Sequence, residues 1–182
     1  KTHRAYLWSY SIGAFEPVKA VVYDFAESRA GKHAQSFLGE WRGTLVCDDY
    51  SGYKALIAEG VTEAGCMAHA RRKLFDLHAG HQSQIAGEAL AYFQKLYAIE
   101  RELAELEHDD RRRLRQEQAK PLLDEFEIWL KRRRQVVPNG SATAKAIDYS
   151  LRRWAALVQY LHDGQVPIDN NWIENRIRPI AT

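Results

Sequence analysis

Two carboxylates in this sequence stand where a phosphoryl-transfer site could use them. Asp48 directly follows Thr44-Leu45-Val46-Cys47, a run of buried-strand character, so it would stand at the C-terminal end of a strand. In open α/β sheets ligands gather at that edge, and a strand gives a metal-ligating carboxylate a rigid mount. The run Asp48-Asp49-Tyr50-Ser51-Gly52 also reads as a turn or a helix cap, the ordinary structural use of aspartate there. Glu174 follows Asp169-Asn170-Asn171, near the first turn of a short helix. Carboxylate oxygens suit a hard divalent cation such as Mg²⁺, and a two-metal site can draw its carboxylates from distant parts of a chain. Glu174 also stands four residues before Arg178, the favourable order for a helical ion pair. On residue types and spacing alone, both readings of each carboxylate stand.

Cys66 and His69 form a Cys-x-x-His pair. Zinc takes about four ligands, and no second pair follows at finger spacing, so such a site would have to recruit His78 and His81. Basic residues cluster at Arg71-Arg72-Lys73, Arg111-Arg112-Arg113 and Lys131-Arg132-Arg133-Arg134. Clusters of this kind can contact phosphates, although most charge blocks simply face water. Arg71, Arg72 and Lys73 follow a strand edge on the same rim as Asp48, which favours phosphate contact for that cluster.

These residues need a scaffold. The chain has 182 residues, 46% of them apolar and 27% charged, with a net charge of +2. That is enough for a buried core, and the overall charge does not by itself imply nucleic acid. Two cysteines give no disulfide framework and fit a reducing cytosol, so a cytoplasmic location is expected. No apolar run approaches the ~18 residues of a membrane span, and the first residues lack the apolar core of a signal peptide. Residues 5–12 alternate with Tyr6, Trp8, Tyr10 and Ile12 on one face, and 18–25 is rich in β-branched and aromatic residues; the two predict a hairpin across the 13–17 turn. Gly31 opens a short helix with Ala34, Phe37, Leu38 and Trp41 as its apolar stripe, ended by Gly43. A strand over 44–47, a short helix over 50–59, a strand over 64–67 and a basic helix over about 69–78 follow. From Gly80 to Asp163 every strong periodicity is helical. Leu96, Ile99, Leu103 and Leu106 form one stripe; Leu122, Phe126, Trp129 and Leu130 a second; Ile147, Leu151, Trp154, Val158 and Leu161 a third. Ser141 is placed to cap the helix after the Pro138-Asn139-Gly140 break. The last helix starts at Asp169-Asn170-Asn171, and Pro179 ends or kinks it.

Four segments together resemble the insertion-sequence sixty-six type transposases. They are Ser28-Arg29-Ala30-Gly31-Lys32-His33-Ala34, then Leu45-Val46-Cys47-Asp48-Asp49-Tyr50-Ser51-Gly52-Tyr53, then the block from Gly65 to Phe75, and finally the block from Asp169 to Pro179. They occur in that family's order and span nearly the whole chain. The family is similar to other Asp-Asp-Glu transposases, and the resemblance implies an α/β fold with an RNase H-like mixed sheet and an all-helical insertion. The implied division is 1–80 for the first part of the core, 81–163 for the insertion, and 164–182 for the return to the core.

The resemblance further implies that Asp48 is the second catalytic aspartate and Glu174 the catalytic glutamate. Both would be ligands of two Mg²⁺ or Mn²⁺ ions in a site that cuts DNA and joins the freed 3′-OH to a target. Arg71, Arg72, Lys73, Asn171, Arg176 and Arg178 are the expected DNA contacts, and a homo-oligomer acting on element ends and target DNA is the expected assembly. In two respects the sequence departs from the family pattern. Asp49 stands where the family usually has glycine, leaving open which aspartate points inward. The family's first aspartate lies on a strand upstream of Tyr6, so this chain is expected to hold two of three carboxylates and to be inactive by itself. The hairpin and the Asp48 strand should then each present an unpaired edge, filled by a second copy or another segment. Two further readings are an RNase H-like nuclease or resolvase, and a non-catalytic helical DNA-binding or oligomerisation module built on the Leu96–Leu106 and Leu122–Leu130 stripes.

Overall fold

The computed structural model describes residues 4–180. Strands β1 (Tyr6–Ser11) and β2 (Val21–Ala26) pair antiparallel, with Trp8 opposite Asp24 and Leu7 opposite Phe25. This is the hairpin that the alternating pattern predicts. Helix α1 (Lys32–Leu38) follows. It ends a turn earlier than Gly43, because Gly39 takes a positive φ of 55°, a backbone state that glycine adopts without a Cβ clash. Trp41 is therefore outside the helix. Strand β3 (Thr44–Cys47) runs into a 3-10 turn (Ser51–Tyr53) and helix α2 (Lys54–Ala58). Strand β4 (Thr62–Gly65) then pairs parallel with β3, Leu45 beside Glu63 and Cys47 beside Gly65.

The four strands form two separate ribbons, β1–β2 and β3–β4. Among the described residues they do not join into one mixed sheet, and each ribbon keeps unpaired edges. A small core sits under the hairpin: Trp8, Ala26, Ala34, Leu56 and Val61.

Helix α3 (Met67–His81) runs on through Gly80 and stops at Gln82, whose φ is 46°. Ser83 caps α4 (Gln84–Glu102), its hydroxyl accepting from the Ala86 amide. Helix α5 (His108–Leu114) passes through a π-helical turn (Arg115–Ala119) into α6 (Lys120–Val136). Ser141 caps α7 (Ala142–Arg152) as expected. The third apolar stripe is not one helix, because the chain breaks at Arg153 into α8 (Trp154–Leu157) and a 3-10 turn (Gln159–His162). Helix α9 (Asn171–Ile177) closes the described chain. No described helix is long and apolar enough to cross a membrane.

The larger core joins the helical block to β4 and α3, and includes Ala64, Leu74, Phe93, Leu96, Phe126, Leu130, Ile147 and Ile168. The stripes of α4 and α6 are thus buried within the chain and do not form a free oligomerisation face.

Of the Arg111-Arg112-Arg113 run, Arg112 and Arg113 face solvent, whereas Arg111 is buried, as is Arg115 beyond it. Arg115 forks onto Glu100 at 2.9 and 2.6 Å, and its Nη1 donates to the carbonyls of Tyr160, Asp163 and Val166. Arg111 donates to the carbonyls of Leu103 and Gly164 and lies 3.7 Å from the Phe15 ring centre. The two guanidiniums staple the connection that leads to α9. Gly164 has no room for a side chain, since a Cβ there would lie 1.9 Å from the His108 carbonyl oxygen.

Candidate functional site

Glu174 is brought to the rest of the site by the segment before α9. The Met67 amide, at the start of α3, donates to the Ile168 carbonyl at 3.1 Å. Asp169 is buried and fully engaged: Oδ1 accepts from the Asn171 amide, and Oδ2 accepts from Asn171 Nδ2 and, at 2.6 Å, from the Tyr97 hydroxyl of α4. Burial and the Asp169 charge both push the Tyr97 hydroxyl far above its ordinary value, so it stays a donor. The Tyr23 hydroxyl of β2 donates to the Arg176 carbonyl and ties α9 to the hairpin. This fastening lays α9 beside α3.

Glu174 therefore faces α3. Its Oε1 lies 3.6 Å from His69 Nε2 and its Oε2 lies 3.9 Å from Arg72 Nη2. These are the basic side chains within 4 Å of it among the described residues, so the intrahelical pair with Arg178 does not form. Asp48 opens on the same α3 side chains. A cleft of about 550 Å³ is lined by Arg29, Asp48, Asp49, Tyr50, Ser51, His69, Arg72, Lys73, Asp76 and Tyr149. Asp48 thus shares the cleft lining with His69 and Arg72, the two side chains that Glu174 approaches; Glu174 itself does not line the cleft. Asp48 also makes the turn contact that its sequence suggests, Oδ1 accepting from the Tyr50 amide at 3.0 Å.

Asp49 is more exposed and turns to cations, Arg153 at 3.4 Å and Lys54 at 3.8 Å. Of the basic cluster, Arg72 and Lys73 line the cleft, with Lys73 Nζ 4.5 Å from the Tyr149 ring centre. Arg71 is exposed and lies over Phe75. Asn171 is held by Asp169, Arg176 stacks over Trp172 at 4.2 Å, and Arg178 is exposed at the end of α9. None of these three lines the cleft.

His69, Arg29 and Tyr97 are site residues that the reading of residue types did not single out. His69 entered only as half of a Cys-x-x-His pair, yet its Nε2 is turned to Glu174 and its Nδ1 is buried without a partner. Cys66 is buried beside the amides of Asn170 and His69. Burial pushes its thiol up to about 11, with those amides pulling the other way. Burial, reinforced by Glu63, pushes the Cys47 thiol up to about 12. Both thiols stay protonated and serve as small core residues.

Carboxylate oxygens are the donor type that a hard divalent cation takes. Among the described residues, no group of three or more His, Cys, Asp or Glu side chains is arranged to hold a metal ion. Asp48 and Glu174 therefore fit such an ion in kind, as part of a ligand set.

The sequence matches the model of the Transposase IS66 family over residues 1–182. Three relatives from Sinorhizobium fredii are similar along most of the chain. The uncharacterised protein y4qI is 36% identical over 98% of this chain, y4hP 33% over 96%, and y4jD 33% over 89%. The matched regions cover 35%, 36% and 33% of those proteins, so the chain spans about a third of the length of the curated relatives it matches. No solved structure matches.

Proposed function

The chain belongs to the IS66 transposase family, and from that premise we propose that it forms catalytic-core structure of a DNA transposase, with Asp48 and Glu174 as metal-ligating carboxylates. The observation that carries this reading is that His69 and Arg72 stand next to both carboxylates: they line the cleft with Asp48 and approach Glu174 at 3.6 and 3.9 Å. Residues 1–80 and 164–182 would form an RNase H-like core and 81–163 its helical insertion. The two unjoined ribbons are compatible with that reading, because each keeps edges to which a further strand could add. In the complete protein, Mg²⁺ or Mn²⁺ held by these carboxylates would activate water or a 3′-OH and stabilise the leaving oxygen.

The chain's own groups have separate tasks. Asp48 and Glu174 supply hard oxygen donors. Arg72 and Lys73 neutralise phosphate charge along the cleft, with Arg71, Asn171, Arg176 and Arg178 available to the flanking DNA backbone. DNA is the partner, with element ends and target both engaged, and the protein would act as a cytoplasmic homo-oligomer. The exposed Leu7 and Phe25 on the open face of the hairpin favour an assembly.

In the full-length protein, Asp48→Asn and Glu174→Gln should each abolish Mg²⁺-dependent strand transfer while leaving DNA affinity within about twofold. Arg72→Ala and Lys73→Ala should each weaken DNA binding and lower the slope of log affinity against log salt by about 1. Joining that survives in Glu174→Gln would refute the assignment. Cleavage without joining in the unmodified protein would favour the nuclease or resolvase reading.

A further inference from the structure

The turn after β3 is held from outside the two ribbons, by the helical block. Strand β3 ends at Cys47, and Asp48 and Asp49 follow it in a turn in which Asp48 Oδ1 accepts from the Tyr50 amide. Both aspartates line the cleft. The β3–β4 register places Glu63 beside Leu45. Arg153, at the break between α7 and α8, bridges turn and strand: its Nη1 lies 2.8 Å from Glu63 Oε1 and 3.4 Å from Asp49 Oδ1. Lys54 Nζ approaches the same two oxygens at 3.8 Å.

Arg153 is 7% exposed, and its Nε and Nη2 are buried with no partner among the described residues. Stability is a poor reason for that arrangement. A buried ion pair commonly does no better than apolar side chains of similar volume, and an under-satisfied one does worse. The chain also breaks its third helical stripe at this residue.

We propose that Arg153 is a positioning residue for Asp48. By tying Asp49 to Glu63, it fixes the turn that sets Asp48 in the cleft beside His69 and Arg72. The helical block is then part of the site's frame. This rests on the reading of Asp48 as a metal ligand.

The test is Mn²⁺ affinity of the full-length protein, by calorimetry, alongside its thermal midpoint. Asp48→Asn should abolish binding at the site. Arg153→Met should weaken it by about 10-fold or more, the usual effect of losing a group that orients a ligand, with little change in the midpoint. Asp49→Asn, at a half-exposed position, should weaken binding similarly, and the two changes together should do no more than either alone. If Arg153→Met does not fold, Asp49→Asn carries the test. Unchanged affinity in Asp49→Asn, with binding lost in Asp48→Asn, overturns the role of Arg153 and leaves the carboxylate assignment intact. Unchanged affinity in Asp48→Asn overturns the assignment itself, and this inference with it.

Discussion

The Tyr97 hydroxyl joins the helical block to the segment carrying Glu174 through one hydrogen bond of 2.6 Å to Asp169. Tyr97→Phe removes that donor and leaves Asp169 its two contacts to Asn171. Hydrogen bonds to charged groups are worth about 1.5–3 kcal/mol, and the remaining donors favour the lower end. A urea titration should show a loss of about 1.5 kcal/mol; no change would mean that Asp169 needs only its own turn. The two thiols give a second test. Their folded values, about 12 for Cys47 and about 11 for Cys66, are raised above the ordinary 9.0. Raised values favour the folded state below that ordinary value. The contribution is lost as pH climbs from 9.0 through 11 and 12, because the unfolded chain gives up those protons first. Iodoacetamide at pH 8 should leave both thiols unmodified until denaturant is added; rapid alkylation of the native protein would contradict their burial. Residue types alone exposed part of this site. The strand before Asp48 was readable because β-branched and apolar residues run straight into a carboxylate. The direction of Glu174 was not, because Arg178 is a credible partner in sequence while His69 and Arg72 become neighbours only when the fold brings α9 within reach of α3.

Among the elements, the α5–α6 segment departs most from its sequence pattern. The Arg111-Arg112-Arg113 block predicts a wet face, and Arg112 and Arg113 lie on one, yet Arg111 points inward together with Arg115, four residues on. One signal was present: Glu100 stands within the apolar stripe of Leu96, Ile99 and Leu103, and a carboxylate there requires a buried cation. Arg115→Ala should cost about 3–5 kcal/mol, since Glu100 would remain buried and unpaired. A loss below about 1 kcal/mol would show that the fork onto Glu100 contributes little. Gly164→Ala should also destabilise, by about 1–3 kcal/mol, because the added carbon meets backbone rather than a side chain that can swing away. A midpoint equal to that of the parent protein would show that the start of α5 can yield. The break at Arg153 was equally hidden, because Ile147, Leu151, Trp154, Val158 and Leu161 keep an apolar rhythm across it.

At the scale of the whole molecule, two cores of unequal size predict unequal persistence. The larger core binds α3, α4, α6 and α7 into one body, whereas the hairpin rests on five buried side chains. Local opening is easiest where few apolar contacts resist it. Amides of β1 and β2 should exchange with solvent well before those of α4 and α6; equal protection would mean that the hairpin folds as one unit with the helices. The helical class of the block and the strand pairing of each ribbon were legible from periodicity. The two unjoined ribbons could not be derived that way, since periodicity reports which face is buried and not which strand lies alongside. The stapled connection from Tyr160 to Ile168 carries a last consequence, for how chains of this kind can lengthen. The turn at Pro138-Asn139-Gly140 faces solvent between α6 and α7, so added residues there would displace nothing that Glu174 depends on. Between Tyr160 and Ile168, carbonyls meet Arg111, Arg115, Gln116 and the Met67 amide at fixed positions. A single added residue would put every later group out of step with its donor. Length variation should therefore be admitted at the first loop and refused at the second.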